Sequence, residues 1–324
     1  MTSNPFPSTA PAVGAAVDAA LRAAVEPVRL QLGRALRGFI AGDGEPVRDL
    51  IAPIEGDPGL FGPDSVTWRV HSDGAMLIGG IRALLLQIMH PLAMAGVADH
   101  SDYRHHPEAR LARTSQFVAT TTFGTTEQAH QAAAIVKRVH TKVVGTAPDG
   151  RPYSASDPHL ISWVHHAEVD SFLAAYQRYG SQPLTDAEAD QYVSEMAVIN
   201  ELLDGEPPAT SVAELRDYFD RMRPELSVGK QGRDAARWLL FPPVQAAVRP
   251  AYGVLAPAAI GLLSSEARTA LRLPLLPGVD SLMVQPAARA IVRTLGWAIN
   301  GLAEYEYAER LAAESLAEAD PEAA

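Results

Sequence analysis

The stretch from Leu77 to Ala98 constrains this chain most. Nearly every residue in it is apolar, and its length and spacing read as one helix. A helix that is apolar all round lies in the middle of a domain, so other elements must cover it. Arg82, Gln87, His90 and Pro91 interrupt it, which argues against a membrane span. Pro91 also predicts a kink or break, since a proline inside a helix removes a hydrogen bond. The other apolar stretch, Ala251–Leu263, is too short to span and contains Pro257. No integral membrane segment is expected.

The cover is predicted to be helical. Ala15–Ile40 fits a long helix, kinked or broken at Pro27 and ended by Gly42-Asp43-Gly44. Thr125 with Gln128, Thr185 with Glu188 and Ser211 with Glu214 are capping-box patterns. Asp157-Pro158 supplies a cap and a proline at the first helical position, for a helix running to Tyr179 and stopping at Gly180. Pro286 to Glu318 is again helical in pattern. Only Val66, Trp68 and Val70, alternating with polar residues, read as a strand. The expectation is an all-α fold: a single helical domain over 14–318, a flexible N-terminal arm over 1–13 and a frayed acidic tail over 319–324.

Composition narrows the function. A 324-residue chain that is 47% hydrophobic and 20% charged is a globular protein with enough apolar material for a buried pocket. Its net charge is -11 and no dense Lys/Arg run occurs, so nucleic acid is not an expected partner. The absence of cysteine removes disulfides, thiolate metal sites, iron–sulfur clusters and covalent c-type haem attachment. The N-terminal residues have no basic region before an apolar run, which predicts a cytoplasmic protein. Fingerprints for dinucleotides, P-loops, nucleophile elbows and zincins are missing.

The ten histidines all lie between His71 and His166. Chance and surface pairs such as His105-His106 account for most of the ten; a site that uses imidazole is the sharper reading. His140 stands out. In a helix from Thr125 or Thr126 to about Val144, it shares one face with Val136, Val139 and Val143, while Lys137, Arg138, Thr141 and Lys142 take the other. A buried imidazole needs partners for its nitrogens. A core histidine bonded to a carbonyl is the ordinary case, and a metal or haem iron is the alternative. Glu127 and His130 form one Glu-x-x-His element, whereas di-iron bundles use two. Arg110, Arg113 and Thr114 share a helical side that reads as a solvated basic face or as an anion or dioxygen contact.

Several of these pieces occur in a familiar order. Gly79-Gly80-Ile81-Arg82, Gln87, His90-Pro91, Gly96-Val97 and His100-Ser101 come first. Arg110-Leu111-Ala112-Arg113-Thr114, Phe123-Gly124, Val139-His140, Gly145, Tyr153-Ser154-Ala155 and Trp163-Val164-His165 follow. The series resembles the MpaB-like oxygenase family, which includes the rubber oxygenases called latex clearing proteins. The resemblance covers roughly Trp68 to Tyr179. It implies a globin-like helical core with additional helices and one non-covalent haem b, with His140 as proximal iron ligand and Arg110, Arg113 and Thr114 on the distal side. Arg110 and Arg113 would also contact the cofactor.

This sequence departs from the family at two points. Arg113 stands where rubber oxygenases carry a lysine, and a guanidinium stays protonated and has no lone pair for iron. The distal glutamate is missing from Met94–Ser101, where Asp99 and His100 are the nearest ionisable substitutes. The first argues against a lysine on the iron, in favour of water, dioxygen or an open position; the second, with the lack of an export signal, argues against polyisoprene as substrate. The resemblance implies a haem-dependent oxygenase using dioxygen on a small apolar, isoprenoid- or lipid-like molecule. A non-catalytic haem carrier or sensor, a non-haem iron protein and a helical scaffold are the other readings.

Overall fold

A computed structural model describes residues 26–27, 29–31, 57–101, 107–242, 249–273 and 277–298. The N-terminal arm, most of the predicted first helix, His105-His106 and the tail beyond 298 lie outside the described residues. Two compact units are present: 40–293, and a smaller one from the chain ends, 1–39 with 294–324. In the smaller unit, residues 26–27 and 29–31 are helical. There Arg29 Nε donates to the Trp297 carbonyl at 2.9 Å.

The larger unit is built from helices: α1 (Val66–His71), α2 (Met76–Gln87), α3 (Pro91–His100), α4 (Pro107–Phe123) and α5 (Thr126–His140). A hairpin of β1 (Val144–Thr146) and β2 (Pro152–Ser154) comes next. The chain continues with α6 (Pro158–Tyr179), α7 (Asp186–Leu202), α8 (Val212–Met222), α9 (Lys230–Leu240), α10 (Arg249–Gly261) and α11 (Ser265–Leu271). A π-helical stretch, Asp280–Val284, follows, and residues 285–298 are helical. The fold is all-α, as the sequence predicts.

The apolar segment is divided as expected. α2 and α3 meet at a bend of 105° just before Pro91, and most of α2 is buried. No single helix among the described residues is long and apolar enough to cross a membrane. α2 packs along α6, the other central helix. Gly79 makes this possible: a Cβ there would lie 2.7 Å from Phe172 Cδ1 and 3.1 Å from its Cα. Beside it, the buried Arg82 guanidinium pairs with Asp170 at 2.7 Å, donates to Ser171 Oγ at 2.9 Å and reaches the Leu262 carbonyl at 3.1 Å. A buried charge so fully bonded holds three segments in register.

The capping boxes at Thr125/Gln128 and Thr185/Glu188 form on both sides. At Ser211 only half forms. Its hydroxyl accepts from Glu214 N–H, while the Glu214 carboxylate turns to Thr210. The predicted strand at Val66–Val70 is instead α1. Its buried residues Val66, Thr67, Val70 and His71 follow a helical repeat. Ser65 caps it at 3.0 Å, and the Glu195 carboxylate from α7 accepts the Thr67 N–H at 2.7 Å. Tertiary capping thus overrides the short alternation of β-formers. The hairpin β1–β2 is the strand pair that the sequence did not reveal. It takes the residues assigned to the end of α5, which stops at His140.

Candidate functional site

α4 and α5 pack against each other through a two-residue connection, Gly124–Thr125. Arg110 and His140 therefore lie at similar distances from the turn, about 21 and 22 Å along their helices at ~1.5 Å per residue. Both belong to the open end of this helical pair. The buried line of α5 begins with Ala129 and Ala133, small residues that permit close approach. Val136 and His140 continue it at helical spacing and are half-buried. The valine stripe expected from the sequence is rotated relative to this line. Val139 is 51% exposed, beside Ile135 at 52%.

His140 Nδ1 is buried and has no hydrogen-bond partner among the described residues. Burial lowers the pKa of the ring. At neutral pH it is therefore an uncharged imidazole, the form that offers a lone pair to a metal. Arg113 and Thr114 are exposed and Arg110 is half-buried. The Thr114 hydroxyl donates to the Arg110 carbonyl at 3.2 Å, back along its own helix.

Asp99 and His100 meet the β-hairpin next to the end of α5. The Tyr153 hydroxyl donates to Asp99 Oδ2 at 2.6 Å, and burial with that bond raises the tyrosine pKa to about 12. His100 Nε2 lies 3.1 Å from the Val144 carbonyl. Gly145 leaves room for Tyr153: a Cβ there would stand 2.5 Å from its hydroxyl. On α3, a Cβ at Gly96 would meet Val143 and Tyr153 at ordinary contact distance. So Gly96, Asp99, His100, Val143, Gly145 and Tyr153 assemble one corner, tied to the end of α5 by the Val143 N–H, which donates to the His140 carbonyl at 3.0 Å. Several pieces of the ordered series share this single place.

The remaining histidines divide by partners. His71 lies 2.7 Å from Thr122 Oγ1 and 3.1 Å from the Tyr192 hydroxyl. His166 Nδ1 donates to the Ser162 carbonyl at 2.6 Å, its Nε2 accepts from Ala209 N–H at 3.0 Å, and its ring stacks on Tyr218 at 3.8 Å. Glu127 and His130 are exposed, and Glu127 accepts from Gln131 at 2.9 Å. No metal-ligating cluster forms around that Glu-x-x-His pair among the described residues.

Two features escaped the sequence. Glu168 on α6 has its carboxyl pushed up to about 7 by burial; with Asp170 two residues on, nothing in the sequence marks which of the two carboxyls pairs with Arg82 and which is buried without it. The other is His90, His159 and Glu225, whose ligand atoms lie within 4.8 Å of one another. Their 135-residue spread in sequence hid that cluster.

The residues at the open end of α4–α5 fit a haem in donor type: a neutral imidazole with an unspent buried nitrogen, and arginines able to meet carboxylates. No curated protein and no solved structure matches the chain. The sequence model of one family, described as ER-bound oxygenase mpaB/B'/Rubber oxygenase, catalytic domain, matches residues 68–297. That span takes in most of α1, all of α2 through α11 and every site residue described above, and the chain therefore belongs to the MpaB/rubber oxygenase family, with an oxygenase catalytic domain over most of its length.

Proposed function

We propose that the protein is a haem b-dependent oxygenase acting with dioxygen on a small apolar, isoprenoid- or lipid-like substrate. The observation that carries this reading is the buried, unpartnered nitrogen of a neutral His140 within an oxygenase catalytic domain. His140 would hold the iron, and Arg110 and Arg113 would meet the propionates. When bound, the haem supplies dioxygen binding and activation. Arg113 keeps its proton and contributes charge, not ligation. Thr114 can donate a hydrogen bond to a distal oxygen only by leaving the Arg110 carbonyl. Ile135, Val139 and Val144 expose apolar surface near His140, which supports an apolar substrate.

One observation favours haem binding without turnover. Asp99 and His100, the nearest substitutes for a distal base, are both engaged by the hairpin. Substrate-dependent oxygen uptake separates an oxygenase from a carrier or sensor. The test of the site is His140→Ala. The variant should keep its helical circular dichroism and lose the haem absorption band upon haem titration. An unchanged band overturns His140 as the ligand. Arg110→Ala should retain haem while changing the dissociation rate of carbon monoxide from the ferrous protein, and an unchanged rate removes Arg110 from the distal side.

A further inference from the structure

His90 does two things at once. It is the N-cap of α3, where Nδ1 accepts from the Ala93 N–H at 3.4 Å. That bond leaves the ring proton on Nε2. The side chain is 1% exposed, and Nε2 is buried with no hydrogen-bond partner. It faces Glu225 Oε2 at 3.7 Å, beyond hydrogen-bond range. An interior donor without an acceptor is costly, and most folds avoid it.

Two other groups converge on that nitrogen. His159, in the first turn of α6, holds Nε2 at 3.0 Å from the same Glu225 oxygen. Its Nδ1 is 3.3 Å from both oxygens of Glu206. As it stands Nε2–H donates to Glu225; a carboxylate on Nδ1–H holds the ring so that a cation can take the place of the Nε2 proton, the arrangement that supports metal-bound imidazoles. Glu225 ends a 3-10 turn, Arg223–Glu225. That turn is pinned beside His90, because Ser227 N–H donates to the Met89 carbonyl at 2.9 Å. The nearby Arg151 has its charge taken by Asp149, at 2.8 Å.

We propose that His90 Nε2, His159 Nε2 and Glu225 Oε2 form a three-ligand site for a divalent transition cation of the zinc type, with Glu206 orienting His159. Ligands about 2.0–2.2 Å from a tetrahedral ion stand roughly 3.3–3.6 Å apart. The two separations from Glu225, 3.0 and 3.7 Å, bracket that spacing, and the two imidazole nitrogens lie within 4.8 Å of each other. Two imidazoles and one carboxylate suit zinc better than calcium or magnesium, which prefer oxygen. Binding uses the Nε2 lone pair of His90, so its one ring proton shifts from Nε2 to Nδ1 and the long cap to Ala93 is given up, while the proton that His159 Nε2 donates to Glu225 is released to solvent. The fourth position is left for water. The site joins the start of α3, the start of α6 and the turn after α8, and lies apart from the haem reading of His140.

The test is calorimetric titration of the chelator-treated full chain with Zn2+ alone, followed by thermal melting. The parent and His140→Ala should each take up one equivalent and melt at higher temperature with the ion. His159→Gln and Glu225→Gln sit on accessible side chains and should fold normally by circular dichroism. They should lose both the uptake and the thermal shift. Glu206→Gln should weaken uptake by roughly 10–100-fold, the usual cost of losing a supporting carboxylate. The proposal is overturned if the parent takes up no Zn2+, or if His159→Gln and Glu225→Gln bind it as the parent does. Loss of uptake in His140→Ala alone would assign the ion to the other site and overturn it equally.

Discussion

Two sets of histidines, both buried to some degree, differ in whether their nitrogens are spent. His71 and His166, in the helical centre, use both ring nitrogens on fixed partners. His90 and His140, at the beginning of α3 and the end of α5, each keep a buried nitrogen unpaired. Depth does not separate the sets, since His90 and His166 are both 1% exposed. A saturated ring contributes to stability and has nothing left for a ligand. A ring with an orphan nitrogen is a weak structural element and a strong ligand candidate.

Acid should give the largest effect. His71 and His165 are held uncharged by burial, their pKa values lowered from 6.5 to about 3. Both folded values lie below the unfolded one, so the unfolded chain binds the extra protons. Stability is therefore full above pH 6.5 and falls as pH drops towards 3, by about 1.4 kcal/mol per unit for each site. Urea midpoints between pH 7 and 4.5 should decline steeply, and His71→Gln should flatten the slope. An unchanged slope would mean that the centre does not hold His71 neutral.

Removing a saturated ring comes next. His166→Ala strands the Ala209 N–H, removes a second bond from the Ser162 carbonyl and opens space beside Tyr218, which should cost about 3 kcal/mol in urea unfolding. His140→Ala should cost no more than about 1 kcal/mol by the same measurement. Equal costs would erase the distinction between the two sets. A smaller effect is expected at the corner next to His140. Asp99→Ala leaves the Tyr153 hydroxyl without its acceptor and should cost about 1 kcal/mol. The smallest belongs to the surface of α5, where the exposed pair of Lys137 with Asp204, at 3.0 Å, should contribute under about 1 kcal/mol. Lys137→Ala checks this in the same assay.

Legibility in the sequence followed the range of the forces. Caps at Thr125, Asp157 and Thr185 and the break before Pro91 are local, and they could be read directly. α1 could not, because Glu195, 128 residues away, completes its first turn. The hairpin was hidden for a similar reason: Val143 and Val144 continue an apolar pattern until the Tyr153 side chain claims the space over Gly145. The spacing puts His140 inward among valines, whereas it is half-buried and its face is set by Ala129 and Ala133. Arg110, Arg113 and Thr114 were grouped correctly on one helix, while the engagement of Asp99 by Tyr153 needed the fold. In the sequence His90 is a polar break in an apolar segment and part of a motif; its orphan nitrogen depends on groups from α6 and the turn after α8.

Arg82 carries a consequence in time. Its guanidinium reaches a carbonyl at Leu262, 180 residues further along the chain. At roughly 5–20 residues per second of synthesis, that carbonyl emerges on the order of 10–40 s after Arg82 does. Throughout this interval the most apolar helix of the protein exists with a cation in its flank and part of its cover unmade. A nascent chain truncated before Leu262 should therefore be held by chaperones through the segment around α2, and should release it once α10 has been translated.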